Sequence, residues 1–129
     1  MKTPLLTWRR FVLAAVVFVV AWYAGSYPRG MAMAYIDHAR GNYEIKGWGL
    51  PAPWWREETK LLRERYGVVE EGVGGCMLFP TTKMYATGYN SVSGSLLVKK
   101  FDKDIFEECR REALRRWEAE NRRGRQERP

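Results

Sequence analysis

The chain is nearly without histidine and cysteine: His38, Cys76 and Cys109 are all it has. That poverty excludes a good deal of chemistry. Two cysteines and one histidine are too few for a typical closed zinc site. The absence of a C-x-x-C pair disfavours a thioredoxin-like redox centre. Cys76 with His38 is the single thiol–imidazole couple a nucleophilic mechanism could use, and nothing in local sequence joins them. Asp37 adjoins His38, but adjacent helical residues do not face each other. The glycine-rich turn Gly72-Val73-Gly74-Gly75 lacks the Lys-Ser/Thr ending of a phosphate loop. Its plain reading is a turn that permits close backbone packing. No internal repeat is present, and no cofactor or metal is expected.

Charge is also missing where it matters most. Phe11 to Ala24, FVLAAVVFVVAWYA, carries none, and Lys2, Arg9 and Arg10 stand before it. A cationic flank followed by an apolar run is a membrane-targeting element. At about 1.5 Å per residue this core covers about 21 Å, less than a ~30 Å hydrocarbon layer. Extending it through Tyr27 reaches the lower limit for a span. Trp8 at one edge and Trp22, Tyr23 and Tyr27 at the other resemble interfacial belts. Those features favour a retained anchor. Small-residue sites at Ala24-Gly25-Ser26 and Ala32-Met33-Ala34 keep a cleaved, secreted form open as the alternative. With most of the nearby basic residues ahead of the run, the N-terminus is expected in the cytoplasm and the body outside it.

The net charge of +7 belongs to the two ends. Residues 110–129 hold eight arginines against four glutamates, whereas residues 11–109 balance. A nucleic-acid-binding body would show a basic face within the fold, so nucleic acid is not an expected partner. Aromatic residues at 14% supply a dense core for a small domain.

Past the apolar run, Pro28 marks a break or kink. Residues 31–40 read as a short juxtamembrane helix, with Met31, Ala34, Tyr35 and His38 on one face and Gly41 ending it. Residues 43–48 alternate as a half-buried strand, with Tyr43 and Ile45 inward and Glu44 and Lys46 outward. Pro53 suits a first helical position, residues 54–66 read as an amphipathic helix, and Gly67 closes it. Val68-Val69 opens a second strand running toward Cys76. That strand–helix–strand unit is long enough for a parallel crossover. Residues 81–100 suit a helix capped by Thr81 or Thr82, with a hairpin near Asn90–Gly94 as the rival. Residues 104–120 are the clearest helix, with Asp102 or Asp104 as N-cap and a seam of Phe106, Cys109, Ala113 and Trp117.

The expected organisation is a membrane-targeting segment over 1–28, a juxtamembrane helix over 29–41, a small extracytoplasmic domain over 42–120 and a basic disordered tail over 121–129. The fold class is α+β: a transmembrane or signal helix, then a mostly helical domain with a two-stranded β-α-β element. A bond between Cys76 and Cys109 is expected to compete with two buried thiols, and a reactive Cys76 is the third reading. Trp48, Trp54 and Trp55, in and around a proline-rich loop, form the candidate binding surface.

The stretches YEIKGWGLPAPWWREETKLLRERYGV, GGC, GYNSVS and FDKDIFEEC resemble a family of small, uncharacterised bacterial proteins with an N-terminal membrane segment. The likeness covers roughly residues 38–115. It implies a bacterial origin and a helix after Thr81, and brings no activity, cofactor or catalytic residue. The expected function is that of a membrane-anchored accessory or interaction protein, its partners the lipid bilayer and another membrane or extracytoplasmic protein. A ligand-binding module using the tryptophans and a thiol-dependent enzyme using Cys76 are the alternatives.

Overall fold

The computed structural model describes the backbone of residues 4–126 and the side chains of residues 8–125. Among the described residues the order is α1 (Pro4–Ala39), β1 (Tyr43–Trp48), α2 (Trp55–Tyr66), β2 (Val68–Gly74), α3 (Pro80–Phe101) and α4 (Ile105–Gln126). This is a mixed, mostly helical α+β chain with a long apolar first helix.

The expected break at Pro28 does not end α1, which runs through it. A proline lacks the N–H that would bond the carbonyl four residues back, here that of Ala24. Tertiary contact over the next turns holds the helix together. Residues 29–39 are therefore the second half of α1, not a separate element. The helix stops at Ala39, and Gly41 takes the left-handed conformation at φ +81°. There the Asn42 N–H donates to the Asp37 carbonyl at 2.9 Å.

β1 and β2 pair in parallel, Tyr43 opposite Val68 and Lys46 opposite Glu71, with an irregularity at Gly47/Trp48. The α2 crossover packs on α4, and Gly67 ends α2 at φ +66° with its N–H on the Arg63 carbonyl. α2 begins one residue later than the periodicity suggests. Pro53 and Trp54 form a turn in which the Trp55 N–H donates to the Ala52 carbonyl at 2.9 Å.

Residues 80–101 form a helix rather than a hairpin. Neither Thr81 nor Thr82 caps it: Phe79 holds the cap position in extended geometry, and Pro80 opens the first turn, where a missing N–H does no harm. Asp104 does cap α4, its Oδ1 accepting from the N–H groups of Phe106 and Glu107 at 3.1 and 3.0 Å. The tail expected to be disordered from residue 121 is instead helical to Gln126. Residues 127–129 of that tail lie outside the described chain.

Two clusters form the interior. Leu61, Leu62, Val68, Leu97, Ile105, Cys109 and Ala113 fill the space between α2, α4, α3 and the sheet. Ala34, Tyr89 and Val92 join α1 to α3. The second contact is closer than side chains would allow. A Cβ on Gly88 would stand 2.2 Å from the Tyr27 carbonyl oxygen, and one on Gly30 would stand 2.1 Å from that of Tyr85. Along the pair, Gly30 meets Tyr85 and Asp37 meets Tyr89, so the two helices run in the same direction.

Candidate functional site

Two regions hold groups that secondary structure alone does not require. The first is the end of the body where α1 and α3 meet. Phe18, Val19, Trp22 and Tyr23 of α1 line an open apolar cleft of about 330 Å³ with Thr81 of α3. The Arg29 guanidinium lies 5.2 Å from the Trp22 ring centre and 5.6 Å from that of Tyr85, where a cation is held on aromatic faces. N-terminal to this point α1 has almost no protein around it. Phe11, Leu13, Val17, Phe18 and Val20 are all exposed, and 6% of the most apolar 18-residue window is buried. The core helix of a globular protein would be mostly covered.

The second region is polar and internal. Lys46, placed outward by the strand alternation, is the most buried residue of β1 at 8% exposure. Tyr89 of α3 covers it, its ring centre 4.5 Å from Nζ. Nζ donates to Glu44 at 2.8 Å and also to Glu71. Burial alone would lower the Lys46 pKa; the hydrogen bonds and charges of the two carboxylates outweigh it and leave the pKa raised. The Tyr89 hydroxyl donates to Asp37 at 2.9 Å. Burial first, then that acceptor, pushes the Tyr89 pKa up. The cluster thus ties α1, α3, β1 and β2 together through fully protonated Lys46 and Tyr89.

α3 also finishes the sheet. Asn90 donates from Nδ2 to the Lys46 carbonyl and accepts at Oδ1 from the Lys46 N–H, both at 2.7 Å. The Ser93 hydroxyl donates to the Glu44 carbonyl. Side chains of a helix thereby stand in for a third strand and block the outer edge of β1.

Of the tryptophans expected to share a surface, Trp48 and Trp55 line one groove and Trp54 turns away from it. Trp54 packs edge-on against Trp117 of α4 at 5.8 Å between ring centres. Trp55 donates from Nε1 to Glu70 at 2.8 Å. Trp48 projects, 40% exposed, beside Leu50 and Pro51 along a groove of about 300 Å³ that Trp55 also lines. Trp54 stands in the turn before α2 while Trp55 opens the helix, and the two side chains part company there.

The two cysteines are free thiols and not a disulfide. Cys109 is fully enclosed by the main core, in which no residue of the Cys76 loop takes part. Burial raises its pKa, so it stays protonated and serves as a small apolar residue. Cys76 is exposed in the loop after β2. His38 packs against Tyr43 at 4.7 Å, at the opposite end of the strands. Five strand steps of about 3.3 Å put roughly 16 Å between those ends, so no Cys76–His38 couple forms. Desolvation, and then Lys100, lower the His38 pKa. Among the described residues no three His, Cys, Asp or Glu side chains converge on a metal position.

Comparison with family models, curated proteins and solved structures found no match. The resemblance drawn from the sequence therefore adds no activity, and the reading rests on geometry. Sequence reasoning missed the α1–α3 contact and the inward Lys46. The first had a visible signal: Ser26, Gly30 and Ala34 recur every four residues, a stripe that lets another helix approach closely. The second had none, because a lysine in an alternating strand reads as solvent-facing.

Proposed function

We propose that the chain is a single-pass, membrane-anchored accessory protein whose α+β body lies outside the cytoplasm and engages other membrane or extracytoplasmic proteins. The observation that carries this is α1: its first half is apolar and uncovered, and its second half is a structural member of the body. One continuous helix also favours retention over cleavage. Severing the chain near Ala24–Ser26 would strip away Ser26, which is fully buried, and leave Tyr27 at a raw end beside Gly88. Arg9 and Arg10 before the span support an N-terminus on the inside. The polar network around Lys46 is fully engaged within the protein, which supports a structural rather than catalytic role for it.

The test is a C-terminally tagged chain in a bacterial host. The expected product stays in the membrane pellet after alkaline carbonate washing, keeps residues 1–24, and loses its tag to protease added to spheroplasts. A folded product in the cytosol, or a mature form beginning after residue 24, overturns the anchored reading. A binding role is tested by cross-linking in intact membranes, with recovery of the chain alone counting against an interaction partner.

A further inference from the structure

We infer that the body does not stand away from the bilayer but sits on it, through the two loops that follow the parallel strands; this rests on the anchored reading of α1. Because β1 and β2 are parallel, both loops leave the sheet at the same end. The second loop leads directly into α3, whose first turn places Thr81 beside Phe18, Val19, Trp22 and Tyr23. The strand ends and the emergence of the apolar half of α1 therefore share one face of the molecule.

That face carries the most exposed large apolar side chains of the body. Met77 is 94% exposed, Leu50 83% and Phe79 81%, with Trp48 alongside. Both loops are also without charge, over residues 47–55 and 72–82, in a chain that is 29% charged. Exposed apolar side chains on uncharged loops are expected to meet a nonaqueous surface. Tryptophan, methionine and phenylalanine suit the headgroup–acyl boundary. Cations border the face: Arg29 on α1, Arg56 just after the first loop and Lys83 just after the second. These three cations suit anionic headgroups, with apolar stems below and charge at the phosphate level, while Glu70, which lines the groove beside Trp48, accepts a hydrogen bond from Trp55 Nε1. The occupant is the lipid surface, and the loops make a rim of shallow insertion around the anchor.

Cys76 lies within the second loop and offers a native reporter, because Cys109 is buried. The full-length protein, labelled at Cys76 with an environment-sensitive fluorophore, is reconstituted in vesicles of phosphatidylcholine and phosphatidylglycerol. The expected emission is blue-shifted, quenched by nitroxides near the headgroup end of the acyl chains, and several-fold less open to iodide than a label at Arg122→Cys. Leu50→Asp, Met77→Asp and Phe79→Asp together should abolish the lipid quenching and leave the circular dichroism unchanged, since all three are exposed. A label at Val16→Cys in a Cys76→Ser background reports the span separately. Quenching at residue 16 without quenching at residue 76 overturns this inference alone; no quenching at residue 16 overturns the anchored reading. A residue-76 label shielded from iodide but not quenched by lipid signals contact between protein copies, and also overturns it.

Discussion

Gly88→Ala and Gly94→Ala are the same chemical change, six residues apart on one helix, and should have opposite signs. In a helix interior alanine is favoured over glycine by about 1 kcal/mol. At Gly94 nothing lies within 4 Å of the added methyl, so that gain should appear in full. At Gly88 the methyl would stand 2.2 Å from the Tyr27 carbonyl oxygen. The obstacle is backbone, so no side chain can swing aside, and α1 must withdraw by about 1 Å to restore ordinary contact. Overpacking of this kind costs about 1–3 kcal/mol, and a backbone clash belongs at the upper end. Subtracting the propensity gain leaves Gly88→Ala about 2 kcal/mol less stable than the parent, and about 3 below Gly94→Ala. Chemical unfolding of the full-length protein in mild detergent, followed by tryptophan emission, measures the difference. Gly30→Ala should behave like Gly88→Ala, and the double variant should lose less than the two losses added, since one withdrawal relieves both clashes. If Gly88→Ala matches or exceeds the parent in stability, the close crossing of α1 and α3 is wrong.

Three further outcomes are expected. Asn90→Ala leaves the Lys46 N–H and carbonyl without partners at the edge of β1 and should lower stability by about 2 kcal/mol, two ordinary hydrogen bonds; an unchanged unfolding midpoint would contradict the edge-sealing role. Lys46 and Tyr89 hold their protons more tightly folded than unfolded, so the stability they add is complete below the ordinary tyrosine value of 10.0 and is lost as pH rises above it. His38 is shifted down, so its contribution is complete above 6.5 and fades as pH falls below that. The unfolding midpoint should decline beyond both limits, and a rise on the alkaline side would refute the sign for Lys46 and Tyr89. Finally, the native protein should take up one equivalent of thiol reagent quickly, at Cys76, and a second only on unfolding; rapid modification of Cys109 would show that the main core is not closed around it.

Much of the fold was legible where local rules act alone. The parallel crossover followed from two short strands around an amphipathic helix ended by Gly67, and Asp104 announced α4 because its carboxylate meets its own helix within three residues. The helical reading of residues 81–100 held although Gly88 weakens helix propensity. That glycine is kept by the neighbouring backbone, which periodicity cannot see. Pro28 was misleading for the related reason that contact with α3 sustains a helix the proline alone would interrupt. Lys46 was misread because Tyr89, Glu44 and Glu71 create its environment and two of them are distant in sequence. The tryptophan triplet looked like one surface on the page, but Trp117, 63 positions beyond Trp54, takes that member away. The sequence end of α4 was underestimated because its arginines read as tail, whereas Arg122 pairs with Glu118 one turn back along the same helix.

The unbroken course of α1 through Pro28 has a mechanical consequence. From Trp22 to Ala39 the helix extends about 26 Å; anchored as proposed, with the lean of about 20° usual for a transmembrane helix, it would carry its far tip about 9 Å sideways. No flexible joint absorbs that lean. On the anchored reading, a thinner or thicker bilayer that changes the inclination of the span would rock the whole body with it, lowering one flank toward the lipid as it raises the other.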